Sequence, residues 1–252
     1  MHIETVVLLL VCGAALGFVG GLLGVGGGAF AIPLLAALLG LDQQHAQGSS
    51  LVMVVPNVAI GLWRYARKAP LDPKIALSLA LPAFPCTFLA AHFATHVPSS
   101  QLRLAFIGFV LCIAAYMAYL ALRPRREDAP PHRSYPWPFG IVVGAFGGAL
   151  SGLFGVGGAV FAVPLVSLLF GYTQTVAQSY GLALVAPGTL VGVATYAWAD
   201  DVDWQYGIPL ALGSVLLVAP GVSLAHRLPE PMLRLIFAAL MVASALVLLV
   251  RV

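Results

Sequence analysis

The sequence predicts an all-α integral membrane protein of two inverted-topology repeats, each of about five helical elements with Gly-rich broken or re-entrant helices. Three observations predict it. The 252 residues are 61% apolar and only 8% charged, with a mean hydropathy of +0.99, whereas a soluble domain carries about 25% charged residues. The charges fall in islands: nothing is formally charged from Thr5 to Leu41, Ile75 to Leu102, Leu104 to Leu122, Ser134 to Ala199, Trp204 to Ala225 or Leu235 to Val250. A span needs about 20 apolar residues, so these stretches hold many spans. Finally, the run Gly20-Gly21-Leu22-Leu23-Gly24-Val25-Gly26-Gly27-Gly28-Ala29-Phe30-Ala31-Ile32-Pro33 returns 131 residues later as Ser151-Gly152-Leu153-Phe154-Gly155-Val156-Gly157-Gly158-Ala159-Val160-Phe161-Ala162-Val163-Pro164.

The same offset pairs Gly13 with Gly144, Gln47 with Gln178, Pro56 with Pro187, Tyr65 with Tyr196, Asp72 with Asp203, and Leu102-Arg103 with Leu233-Arg234. Two halves on one plan are a signature of transporters. The predicted division is a first repeat over 1–122, a cytoplasmic linker over 123–136 and a second repeat over 137–252.

In the first repeat the elements are expected at Thr5–Leu23, Gly26–Gly40, Ala46–Tyr65, Pro73–Thr95 and Ser99–Leu122. Their counterparts are Trp137–Phe154, Gly157–Gly171, Ala177–Tyr196, Trp204–Arg227 and Glu230–Val250. The second element of each is short for a span. Each glycine costs about 1 kcal/mol against alanine inside a helix, so the glycine runs break the first element from the second. Pro56 and Pro187 are expected to interrupt the third, because proline removes an internal hydrogen bond. Asp72 followed by Pro73 reads as a helix cap with proline in the first turn.

Charge gives the orientation. The linker carries Arg123, Arg125, Arg126 and Arg133 against Glu127 and Asp128, so it belongs in the cytoplasm. The loop after the third element holds Arg64, Arg67, Lys68 and Lys74 in the first half, but Asp200, Asp201 and Asp203 in the second. Corresponding loops of opposite sign place the halves in opposite orientation. The N-terminus, with Glu4 and no basic flank, reads as part of the fold rather than a signal peptide.

The candidate site follows from the glycine runs. A helix starting at Gly26-Gly27 or Gly157-Gly158 aims its free N–H groups and positive dipole end into the protein, which suits an anion. Gly24, Gly26, Gly27 and Gly28 are the expected ligating positions of the first half, with Gly155, Gly157 and Gly158 in the second. Irregular backbone in hydrocarbon must be buried or line a cavity; close helix packing by small residues is the competing reading for each glycine. Polar residues follow directly: Gln47, Ser49, Ser50 and Asn57, then Gln178, Ser179 and Tyr180. Capping competes for the two glutamines, and bonding to carbonyls freed by Pro56 competes for Asn57. Neutral donors hold an anion without trapping it.

Several classes fall away. There is no HExxH, GxSxG or P-loop lysine, so an enzyme is not expected, and no metal or cofactor is called for. No nucleic-acid signature is present. Cys12, Cys86 and Cys112 form no CxxC and read as small core residues. His92 is the one titratable nitrogen well inside an expected span, more simply read as hydrogen-bonded or interfacial.

On the doubled Gly-Val-Gly-Gly motif, the proline about six residues on, and the Leu-Arg heading each fifth element, the chain resembles the sulfite exporter TauE/SafE family, also called toluene sulfonate uptake permeases. The resemblance covers essentially the whole chain. It implies a multi-pass transporter of the bacterial inner membrane, moving small sulfur-containing anions such as sulfite and sulfonates. The expected partners are that anion and the lipid bilayer, with a homodimer left open. A passive anion channel and a cysteine-based sulfur relay enzyme are the alternatives. Ala159 and Tyr180 stand where the first half has Gly28 and Ser49, so the site is not expected to be symmetric.

Overall fold

A computed structural model describes residues 3–68, 71–122, 138–156 and 158–250. The expected linker 123–136, Trp137 and Gly157 lie outside the described residues. Among the described residues ten helices follow one another: α1 Ile3–Leu23, α2 Gly28–Leu39, α3 Gln43–Lys68, α4 Pro73–Ala94, α5 Ser99–Leu122, α6 Phe139–Phe154, α7 Ala159–Phe170, α8 Gln174–Trp198, α9 Trp204–Ala225 and α10 Glu230–Leu249. Among the described residues there is no strand. Seven of the helices are long and apolar enough to cross a membrane. Leu77, Leu81 and Phe84 on α4, and Ile208, Leu212 and Leu216 on α9, are exposed, as lipid-facing side chains are in a membrane protein.

Two expectations about boundaries change. Pro56 and Pro187 do not interrupt their helices: α3 runs 26 residues and α8 runs 25 through them. A proline removes one hydrogen bond, and contacts with neighbouring helices can hold a helix across that loss. Both helices also begin earlier than expected, at Gln43 and Gln174, which puts Gln47 and Gln178 in the second turn rather than at a cap. The expected cap at Asp72 forms, its carboxylate accepting from Lys74 N at 2.8 Å.

Helix directions follow from the close contacts. A Cβ built at Gly13, Gly17 or Gly21 of α1 would run into the backbone carbonyls of Leu210, Ser214 and Val218 in turn. Thus α1 and α9 lie backbone to backbone and run parallel. At Gly144, Gly148 and Gly152 of α6 the obstacles are the carbonyls of Leu79, Ala83 and Thr87, so α6 and α4 pair in the same manner. Small residues permit this approach.

At the centre α3 and α8 cross antiparallel. A Cβ at Gly61 would meet Leu182 at 3.2 Å, and one at Gly192 would meet Leu51 at 3.1 Å. We call the end where α3 begins the first face and the end where α8 begins the second face. The turn between α8 and α9 packs on the first face, where Asp203 N donates to Ser49 Oγ at 2.8 Å. The turn before α4 packs on the second, where Asp72 N donates to Tyr180 Oη at 2.9 Å. Hence α1 enters from the first face and α2 returns to it, while α6 enters from the second and α7 returns there.

Candidate functional site

The tips of the two short hairpins meet inside the bundle. Gly24, Gly26 and Gly27 have φ of 65°, 76° and 90°, and Gly155 and Gly158 have 63° and 55°. This left-handed backbone region is costly for any other residue, so these glycines turn the chain between α1 and α2 and between α6 and α7. A Cβ at Gly28 would lie 3.1 Å from Gly155 O and 3.3 Å from Val156 Cα. The tip of one half therefore touches the tip of the other.

Each glutamine reaches across to the opposite half. Gln47 of α3 packs on the second tip, where a Cβ at Gly155 would lie 2.8 Å from Gln47 Cβ. Gln178 of α8 packs on the first, with a Cβ at Gly24 only 2.6 Å from Gln178 Cβ. Gln178 Nε2 donates to Leu23 O at 2.9 Å, satisfying a carbonyl at the end of α1. Gln47 Oε1 accepts from Tyr196 Oη at 2.8 Å, and the same hydroxyl lies 3.0 Å from Gly152 O. Tyr65 Oη donates to Gly21 O at 2.9 Å. Each third helix thus carries a tyrosine that pins the first arm of its own half's hairpin.

Both glutamines are fully buried, yet Gln47 Nε2 and Gln178 Oε1 have no partner. Ser151 Oγ and Ser179 Oγ are also buried and unpartnered; Ser151 lies beside Gly158, whose Cβ would be 3.2 Å from its own. A buried polar atom without a bond costs about 1–3 kcal/mol, and such atoms in a native protein call for an explanation. These side chains are all neutral, so the chemistry available is hydrogen bonding, helped by the N-terminal ends of α2 and α7.

The remaining expected residues divide. Asn57 does not bond a carbonyl freed by Pro56; its Nδ2 donates to Gly26 O at 3.1 Å, and its Oδ1 accepts from Ser214 Oγ at 2.8 Å. Ser50 turns back to Gln47 O at 2.8 Å. Ser49 and Tyr180 hold the inter-helix turns at the two faces rather than the glycine tips. Tyr65, Tyr196 and Ser151 were missed as site residues. For the two tyrosines the signal was present, since the 131-residue offset pairs them, but an aromatic near a span end reads as an interfacial residue.

Comparison with known proteins places the chain. Residues 9–248 match the family described as Sulfite exporter TauE/SafE. A probable membrane transporter protein of Xylella fastidiosa (strain 9a5c) is 30% identical, over 98% of this chain and 95% of its own length. YunE, a probable membrane transporter protein of Bacillus subtilis (strain 168), is 27% identical over 82% of this chain and 84% of its own. One from Methanocaldococcus jannaschii is 28% identical over 81% and 79%. Together with seven membrane-length apolar helices among the described residues, these matches make the protein a multi-pass transporter of the bacterial inner membrane, and the chain belongs to the sulfite exporter TauE/SafE family.

Proposed function

We propose that the protein carries a small sulfonate- or sulfite-like anion across the membrane by alternating access, holding it where the two glycine tips meet. The observation that carries this reading is the pair of buried amide ends, Gln47 Nε2 and Gln178 Oε1, left without partners beside those tips. A sulfo group accepts hydrogen bonds from amide N–H and from the first N–H groups of α2 and α7. Gln47 Nε2 is already free to donate; Gln178 becomes a second donor when its amide turns by half a turn, exchanging its bond to Leu23 O for one to the anion. Neutral donors also suit release.

The two repeats, 1–122 and 137–252, act as inverted units in this reading. Supporting it, α1 pairs parallel with α9 and α6 with α4, and the hairpins enter from opposite faces. The Ser49–Asp203 and Tyr180–Asp72 contacts then close the first and second faces over an occluded centre. The basic residues Arg64, Arg67, Lys68, Lys74 and Arg227 gather at the second face, which is therefore cytoplasmic. The reading assigns transport without catalysis.

Uptake of radiolabelled sulfite, isethionate and sulfoacetate into proteoliposomes tests it. Gln47→Leu and Gln178→Leu keep approximate size and remove the amide. Hydrogen bonds to a charged group are worth about 1.5–3 kcal/mol, so each variant should lose about 10- to 150-fold in apparent affinity while eluting as folded protein. Wild-type uptake by both variants would overturn the site.

A further inference from the structure

Two surface cavities, at opposite faces and of different chemistry, are counterparts under the 131-residue offset. One, of about 200 Å³, is lined by Trp63, Arg64, Arg67, Lys68, Val222 and Ser223. The other, of about 450 Å³, is lined by Phe88, His92, Thr95, His96, Thr195, Trp198 and Ala199. Shifting the first set carries Arg64 onto Thr195, Arg67 onto Trp198, Lys68 onto Ala199 and Ser223 onto His92. Each cavity lies between the end of one half's third helix and the end of the other half's fourth. In each, one lining residue directly precedes a pinning tyrosine in the chain: Arg64 precedes Tyr65, and Thr195 precedes Tyr196. At about 30 Å³ per water, both have room for a small hydrated anion.

The cavity at the second face has fixed positive charge. Arg64, Arg67 and Lys68 line it, and the Arg67 guanidinium lies 3.9 Å from the Trp63 ring centre. Among the described residues the cavity at the first face has none, and the titratable groups lining it are His92 and His96. Their rings meet edge to face with centres 4.8 Å apart. His96 Nδ1 lies 2.8 Å from the His92 carbonyl oxygen and 3.2 Å from Thr95 Oγ1. The charged groups of the neighbouring elements are Asp200, Asp201 and Asp203 in the turn between α8 and α9, Asp42 and His45 around the start of α3, and Arg103 in the first turns of α5. His45 Nδ1 lies 3.0 Å from Asp42 Oδ1 and 3.9 Å from Asp201 Oδ1, so it stands between these two carboxylates.

We propose that the cavity between α4 and α8 at the first face is an anion-binding mouth for sulfo-type oxyanions, acquiring its charge when His92 and His96 bind protons. Its basic counterpart between α3 and α9 is the mouth of the other face, charged at all physiological pH. Anion capture is then acid-dependent at one face of the membrane and pH-independent at the other. This assignment rests on the transport reading above for its biological meaning, but the mouth itself is measurable alone.

Two of the lining tryptophans report on it. In a variant retaining only Trp198, with Trp63, Trp137 and Trp204 replaced by Phe, iodide quenching should rise several-fold on acidification from about pH 8 to about pH 5.5. Isethionate, a permanent sulfonate anion, should reverse the rise by competition. The neutral quencher acrylamide should show no such change, and His92→Gln/His96→Gln should flatten the iodide response. A variant retaining only Trp63 should be quenched by iodide equally at both pH values. Equal iodide quenching of Trp198 at both pH values, or an undiminished response in the double glutamine variant, overturns the proposal. If Trp198 responds while Gln47→Leu and Gln178→Leu transport normally, the mouth stands and the inner site fails. If Trp198 does not respond while those variants lose transport, the inner site stands and the mouth fails.

Discussion

Removing one hydroxyl tests whether the glycine tips are tethered as the structure has them. In Tyr196→Phe the ring keeps its volume, so no packing is lost, but Gln47 Oε1 and Gly152 O lose the hydroxyl at 2.8 and 3.0 Å. Both acceptors are in buried residues. The hydroxyl has one proton to share, so the loss is that of about one bond. A buried unsatisfied acceptor costs about 1–3 kcal/mol, whereas bonds between membrane helices average about 0.6 and reach about 1.7 kcal/mol. An expectation of about 1–2 kcal/mol spans both scales. For a chain of this size that is a fall in Tm of about 2–8 °C, readable by thermal unfolding in detergent. Coupling is the sharper readout. Gln47 touches Tyr196, but on α3 it lies 18 positions, or about 27 Å, from Tyr65. A double-mutant cycle of Tyr196→Phe with Gln47→Leu should give about 1 kcal/mol of coupling, and Tyr65→Phe with Gln47→Leu should be additive. Equal coupling in both cycles, or no change of Tm in either tyrosine variant, would refute the tether.

Three further outcomes follow from the same contacts. Gly17→Ala and Gly148→Ala drive a methyl into the Ser214 and Ala83 carbonyls and should each cost several degrees of Tm. Gly108→Ala, with nothing within 4 Å of the new Cβ, should leave Tm unchanged or raise it; equal losses at all three would contradict the close helix pairs. Hydrogen exchange should quicken over 71–74 in Tyr180→Phe alone and over 200–203 in Ser49→Ala alone, since each hydroxyl holds one turn; no change at either would remove the two closures. The Asp201 carboxyl is held above the ordinary carboxylate value by burial, lowered in part by His45 and raised by Asp42 and Asp200. The folded state therefore binds this proton more tightly than the unfolded, and stability falls as pH rises from about 4 through the raised value. Asp201→Asn should gain Tm relative to wild type across that window and hold the gain above it; a gap independent of pH would contradict this.

Much of the architecture was legible because hydrocarbon punishes charge. The islands of Arg, Lys, Asp and Glu marked the helix ends, and Asp72-Pro73 announced the start of α4. The glycine runs announced turns, because Gly24, Gly26 and Gly27 cannot sit together in a helix cheaply. What the sequence could not reveal is the crossing between halves. The offset compares each position with its own counterpart, so it pairs Gln47 with Gln178 but says nothing of Gln47 lying on Gly155. The same blindness hid the two surface cavities, each lined by residues of both halves. Asn57 misled for a related reason: Pro56 offered a local acceptor, and Gly26 O, distant in sequence, took the bond. Local rules also overstated Pro56 and Pro187, since packing carries α3 and α8 through them.

The glycines are poor tools for testing the site. A side chain at Gly158 would meet Gly147 O at 2.5 Å, and one at Gly27 would meet Leu16 O at 3.0 Å with φ at 90°. Loss of transport there would report damaged folding as readily as a lost ligand. The two glutamines meet no backbone clash on replacement, but each also holds a structural bond, to Tyr196 Oη and to Leu23 O, so their transport is read beside their Tm.

The most direct measurement is ligand-dependent thermal stability of purified wild type and the Gln47→Leu/Gln178→Leu variant against sulfite, sulfate, thiosulfate, isethionate, taurine, sulfoacetate and acetate. A ligand that binds the folded state stabilises it by mass action, by about 2.7 kcal/mol at a hundred times Kd, and so raises Tm. The account predicts that at least one sulfo anion stabilises the wild type, that acetate does not, and that the double variant loses the response. Stabilisation of both proteins alike, or of neither by any sulfo anion, would contradict it.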